Sequence, residues 1–274
     1  MSRASVAPFP TTANVLDDLR ARIRTLESGQ ENSLAANDSR VHAVSLGASE
    51  LDNALPWHGF PTHGLHEISG DTAATGFVLS LLARLSHAAA GAPVLWCQSG
   101  RDLYPPGLNA FGIDPNRLIL AHGRTDTDIL WALEEGVRSM ALAAVVGRLV
   151  KVAPIAARRL QLAAEESGVP CLILRPKEAH APAGTALTRW RVTSVPTAKE
   201  KETETPWKPH WQVELQRCRL SSQLAATANT TSIDSRSWKV TRNMDSCNET
   251  GDLTVVAGLR DRPAEPSAGQ DIAG

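Results

Sequence analysis

Between residues 65 and 174 the chain alternates short apolar runs with helix-forming stretches, four times over, joined by short loops. This alternation is the strongest constraint on the fold. Strands separated by crossover helices pair in parallel, and such a sheet is covered on both faces. Residues 65–69 form the first run and lead into Gly70. Residues 77–90 read as a helix that stops at Gly91, with Pro93 just beyond. Residues 93–98 are a buried type of strand, 107–111 a short helix ending at Gly112, and 118–121 the next strand. Thr125 and Asp128 fit a capping box with Asp in the Glu position, and Ile129, Leu133 and Val137 form the inner face of the helix they open. Residues 142–146 are a strand, Pro154 starts a helix that Gly168 ends, and 170–174 close the series.

After Arg175 the helical signals stop. Residues 189–195, 210–219, 238–241 and 253–257 read as strands that extend the sheet or form a small antiparallel lobe. Ahead of the core, Leu16, Leu19, Ile23 and Leu26 lie on one face of an otherwise charged helix. The polar residues 28–39 separate it from the core, so the helix either docks back on that core or is offered to a partner. The expected organisation is an N-terminal helix and linker (1–40), an α/β core with a C-terminal β extension (41–262), and a disordered tail (263–274).

Composition narrows the function. A net charge of −1 means that no global field drives the chain onto nucleic acid or an anionic membrane. No stretch reaches the ~20 apolar residues of a membrane span, and the first ten residues lack an apolar run, so a cytoplasmic protein without membrane contact is expected. Cys97, Cys171, Cys218 and Cys247 are far apart, which argues against a zinc site or disulfide framework and for reduced, buried thiols. His63 and His66 flank Gly64 without a third ligand in sight.

Local charge is another matter. From Arg189 to Arg242 there are ten cations against five acids, interleaved with Trp190, Trp207, Trp211 and Trp238. Arg189, Arg191, Arg217 and Arg219 on strands make this either a grip for single-stranded DNA or a solvated sheet face above core tryptophans. Arg148, Lys151, Arg158 and Arg159 cluster after the fourth strand, where open α/β sheets bind their ligands.

The most specific segment spans residues 44–82. It runs SLGASELDNAL, then FPTHGLHEISG, then DTAATGFVLSLL. In a working phosphate loop, G-x-x-x-x-G-K-[ST], backbone N–H groups cradle the phosphates, the Lys neutralises charge and the hydroxyl holds Mg²⁺. Gly70 keeps the first position. Thr75 replaces the second glycine, Gly76 the lysine and Phe77 the hydroxyl. These ordered elements resemble the start of a RecA core. In that register the general-base position falls at Gly100 and the metal-binding Asp position at Gly147, with Asp102 displaced from either. Phosphoryl transfer is almost wholly positioning and electrostatics, so a pseudo-ATPase with no nucleotide or metal cofactor is expected.

The run from Val44 to Arg219 resembles the ImuA family of bacterial mutagenesis cassettes. The matching segments are LHEISG…ATGF, LWCQSGRDLYPPGLNAFGIDPNRLIL, ALEEGVRSMALAAVVG, RRLQLAAEESGVPCLILR, TRWRV and HWQVELQRCR, with TGDLTVVAGLRDRP near the end. The KEKETETPWK insert departs from the family. The resemblance implies a RecA-like fold with a degenerate phosphate loop. It also implies an accessory role in SOS-induced translesion synthesis, with an ImuB-like polymerase-related subunit and a DnaE-type polymerase as expected partners; RecA, through the N-terminal helix, and single-stranded DNA, through the basic strands, are further candidate partners. A SulA-like inhibitor of cell division is the alternative.

Overall fold

The computed structural model describes residues 43–101, 103–176, 185–196, 209–219, 232–233, 235–242 and 253–259. The chain divides into two units, Met1–Val41 and His42–Gly274, and all described residues lie in the second. The expected helix bearing Leu16, Leu19, Ile23 and Leu26 lies outside the described residues, as do Asp102, Cys247, the 199–208 insert and the 263–274 tail.

The fold opens with β1 (Ala43–Val44), the short helix α1 (Ser49–Asp52) and β2 (Phe60–Pro61), which pairs antiparallel with β1. Asp52 explains the spacing of the SLGASELD motif. Its carboxylate accepts from Ser45 Oγ at 2.6 Å and from the Leu46 N–H at 2.7 Å, while Leu51 and Leu55 enter the core.

The α/β series comes next: β3 (Leu65–Gly70), α2 (Thr72–Ala88), β4 (Val94–Gln98), 3-10 turns at Pro105–Phe111 and Pro115–Arg117, then β5 (Leu118–His122). It continues with α3 (Asp126–Arg138), β6 (Ala144–Arg148), α4 (Pro154–Ser167) and β7 (Cys171–Pro176). The chain closes through β8 (Thr188–Ser194), β9 (His210–Arg219), β10 (Ser232–Ile233), β11 (Arg236–Arg242) and β12 (Leu253–Leu259).

Among the described residues the main sheet runs β12-β11-β9-β8-β3-β7-β6-β4-β5, with β10 on β9. From β8 to β5 every pairing is parallel, and from β8 outward every pairing is antiparallel. The late strands therefore extend the sheet and do not form a separate lobe. Two later strands, β7 and β6, stand between β3 and β4, which sets this order apart from the Rossmann and flavodoxin-like arrangements.

One face of the sheet packs under α2 through Ile68, Phe77, Trp96, Trp190, Trp211, Val213 and Trp238. The other packs under α3 and α4 through Leu65, Ile129, Leu133, Val145, Leu160 and Ile173. Burying each large side chain contributes about 1.5–3 kcal/mol. The expected caps are present: the Thr125–Asp128 box on α3, Pro154 in the first turn of α4, and left-handed Gly112 and Gly168. Helix α2 is the exception. It begins at Thr72, five residues before the expected start.

Candidate functional site

The segment after β3 carries the positions expected to form a degenerate phosphate loop. Here it is short and closed. Gly70 has φ +154°, and a Cβ at this position would lie 1.7 Å from the Val192 carbonyl oxygen, so β8 leaves room for glycine alone. Asp71 then caps α2, its carboxylate accepting from the Ala73 N–H at 2.9 Å. The same carboxylate accepts from the Ser194 N–H at 2.9 Å and Ser194 Oγ at 3.1 Å. The Ala74 N–H is taken by the Asp71 carbonyl at 3.0 Å. A helix N-terminus ordinarily invites an anion; at α2 the chain's own carboxylate stands there.

The remaining positions of the motif lie inside the helix. Gly76 is buried, and a Cβ on it would come within 2.7 Å of Trp211 Cζ2. Phe77 is fully buried, its ring 5.9 Å from that of Trp190. Thr75 is half-buried. On the opposite face of the sheet a Cβ at Gly147 would meet Leu133 Cδ1 at 2.4 Å. The positions where a lysine, a hydroxyl and a metal-binding Asp are expected are thus packed by Trp211, the α2 core and Leu133. Gly100 is half-exposed after β4.

Beside this core runs a buried polar chain. Trp190 Nε1 donates to Thr188 Oγ1 at 2.9 Å, and Thr188 Oγ1 lies 2.8 Å from His66 Nδ1. His66 Nε2 lies 2.9 Å from the His63 carbonyl oxygen. The carbonyl can only accept, so Nε2 carries the proton and Nδ1 accepts from the threonine. Burial, with His63 nearby, lowers the His66 pKa to about 3 and keeps the ring neutral. Burial likewise pushes Cys97 and Cys218 up to about 12, and raises Cys171 further.

The candidate DNA-binding arginines are not equivalent. Arg189 is engaged with Glu67, its Nε at 3.0 Å and Nη2 at 2.9 Å, and Arg175 Nη2 approaches the same carboxylate at 3.8 Å. Glu67 and Arg175 are both buried. Arg219 donates to the Thr185 carbonyl at 2.8 Å. Arg217 is half-buried on β9, and Arg191 is exposed on β8 beside Glu214. Trp190, Trp211 and Trp238 are in the core. Of the second basic cluster, Arg159 pairs with Glu134, while Lys151 and Arg158 are exposed.

A further feature is not anticipated from the sequence. Between β5 and α3 lies a groove of about 510 Å³ lined by Cys97, Ala121, His122, Ile129, Trp131 and Ala132. Trp131 is 67% exposed and Ile119 on β5 is 49% exposed. The available signal is the place of Trp131 on the helix, two residues from Ile129 and so on the side away from the Ile129–Leu133–Val137 stripe.

No family model matches the chain. Protein ImuA from two strains of Caulobacter vibrioides (NA1000 / CB15N and CB 15) is 31% identical over 192 residues, covering 64% of this chain and 78% of the relative. The crystal structure of SulA from Pseudomonas aeruginosa aligns with 41% of this chain and 97% of its own, at 19% identity and a TM-score of 0.37. That likeness is too low to carry an argument. The sequence match spans most of the curated relative, and this chain belongs to the ImuA family.

Proposed function

We propose that this chain is a non-catalytic accessory protein of SOS-induced translesion DNA synthesis, built on a RecA-like core and working through its partners. The observation that carries the reading is the packing of the phosphate-loop positions. Asp71 occupies the helix start, Trp211 abuts Gly76, and Phe77 lies in the core. Nucleotide chemistry would need a cation, a metal ligand and an open cradle at these places. The strand order, with β7 and β6 between β3 and β4, is compatible with a RecA-type sheet.

Family membership supports a place in a mutagenesis cassette. The partners this reading names are an ImuB-like, polymerase-related subunit, a DnaE-type polymerase reached through the complex, and RecA. The expected helix bearing Leu16, Leu19, Ile23 and Leu26 is one candidate contact, and Arg191 with Arg217 is a candidate contact for single-stranded DNA. The 1–40 helix-and-linker segment, the 41–262 core and the 263–274 tail remain the proposed division of the chain. Co-purification of the full chain with the polymerase-related subunit, and separately with RecA, tests the reading. Stable association with the polymerase-related subunit is expected. Association with neither overturns it.

A further inference from the structure

The core under α3 and α4 takes strand residues from β3, β4, β6 and β7 and, among the described residues, none from β8, β9 or β11. On that side of the sheet Glu67 meets Arg175 of β7 and Arg189 of β8. Side chains alternate along a strand, so Ser69 and Arg191 share the same side. In the β8–β9 register Arg217 stands opposite Arg189, and Glu214 opposite Arg191. Around Glu67 and Ser69, four arginines thus stand against two carboxylates.

The carboxylates do not satisfy them. One oxygen of Glu67 accepts from Arg189 Nε at 3.0 Å and Nη2 at 2.9 Å. The other stands 3.8 Å from Arg175 Nη2, too far for a hydrogen bond. Glu214 accepts from Ser235 Oγ at 3.2 Å. Arg175 is 3% exposed, and its Nε is buried without a hydrogen-bond partner among the described residues. Glu67, Arg175 and Arg189 therefore hold a net positive charge away from water, with donors unmet. Burying charge in this way is costly unless an anion completes the set.

The register marks the place for that anion. Arg175 and Arg191 are both partners of Ser69, one on each side of β3. Their backbones are two strand spacings apart, roughly 10 Å. Between them stands the small Ser69 side chain, whose Oγ donates to the Trp190 carbonyl at 3.2 Å. Arg191 is exposed and has no ion pair among the described residues. The gap lies near the carboxyl end of β3, on the face opposite α2. A tetrahedral oxyanion presents oxygens to both sides and is met by two guanidinium groups, whereas a planar carboxylate offers its edge to one.

We infer that Arg175 and Arg191 form a seat for a phosphate group over Ser69, separate from the closed loop before α2. Trp190, Trp211 and Trp238 are in the core, so the seat reads charge and not bases. The phosphate is therefore either free or part of a nucleic-acid backbone.

The test melts the full chain in inorganic phosphate and in chloride at equal ionic strength, and titrates it with labelled oligo-dT. The general effect of phosphate salts on folding is common to all variants. Wild type and Lys151→Gln, an exposed cation outside the seat, should gain more in melting midpoint than Arg191→Gln and Arg175→Gln. Arg191 is exposed, so its variant keeps the test open if Arg175→Gln fails to fold. Oligo-dT binding that weakens at least about tenfold in the seat variants assigns the seat to a backbone phosphate. Phosphate protection without oligo-dT binding assigns it to free phosphate. An equal gain in wild type and the seat variants, with oligo-dT binding absent, overturns the inference. Oligo-dT binding and phosphate protection that both survive the seat variants also overturn it, while leaving the DNA-contact reading in place.

Discussion

At the start of α2 the chain buries Gly76 and Phe77 and half-buries Thr75; on α3 it leaves the Trp131 indole exposed, beside the strand that ends the sheet among the described residues. The two helices are built alike. Each comes after a strand of the same sheet and each is capped by a side chain, Asp71 in one case and the Thr125–Asp128 box in the other. The difference is what lies beyond the helix. Next to α2, the β8–β9 extension brings Trp190 and Trp211 across and fills the space. Next to α3 the sheet ends at β5 among the described residues. A strand-to-helix junction is thus packed shut where the sheet continues past it and left open where, among the described residues, the sheet stops.

Stability measurements can break or sharpen this contrast. Phe77→Ala opens a cavity among Trp190 and its neighbours, and should cost about 3–5 kcal/mol in urea denaturation. A loss below about 1 kcal/mol would mean that the region is not packed core.

The next effect in size is pH-dependent. His66 is depressed to about 3 in the fold, below its ordinary 6.5. The unfolded chain therefore binds the proton first as pH falls. Stability from the neutral ring is complete above pH 6.5 and is lost toward pH 3, at about 1.4 kcal/mol per unit. Between pH 6.5 and 5, wild type should lose about 2 kcal/mol more than His66→Gln. Parallel curves would contradict the buried neutral assignment.

Asp71→Ala removes a helix cap and the tie to Ser194, for about 1 kcal/mol, read from the shift in denaturation midpoint. Trp131→Ala, on the other side of the contrast, should shift stability by less than about 0.5 kcal/mol. A larger loss would place Trp131 among the packing residues.

Much of the fold is legible in the sequence, because caps and periodicity are local. Thr125, Asp128, Pro154, Gly112 and Gly168 act within a turn of where they stand, and the Ile129–Leu133–Val137 stripe is buried as its spacing requires. The start of α2 is misplaced when residues 70–77 are matched to a phosphate loop, although Asp71 before Thr72-Ala73-Ala74 is itself an N-cap signal. Long-range pairings leave no local trace. The Glu67–Arg189 ion pair joins residues 122 apart, so in the sequence Arg189 looks like a surface cation. The packing of Gly76 by Trp211 and of Gly147 by Leu133 depends on tertiary approach, and the sequence shows only that charge is missing there. The exposure of Trp131 depends on the strand order, which places β5 last.

Phosphate release by the purified full-length chain with MgATP and single-stranded DNA tests the central claim most directly. The expected rate is indistinguishable from buffer, and equal for wild type and Asp71→Ala. Turnover by wild type that falls when Gly70 or Asp71 is replaced would contradict a closed, non-catalytic loop.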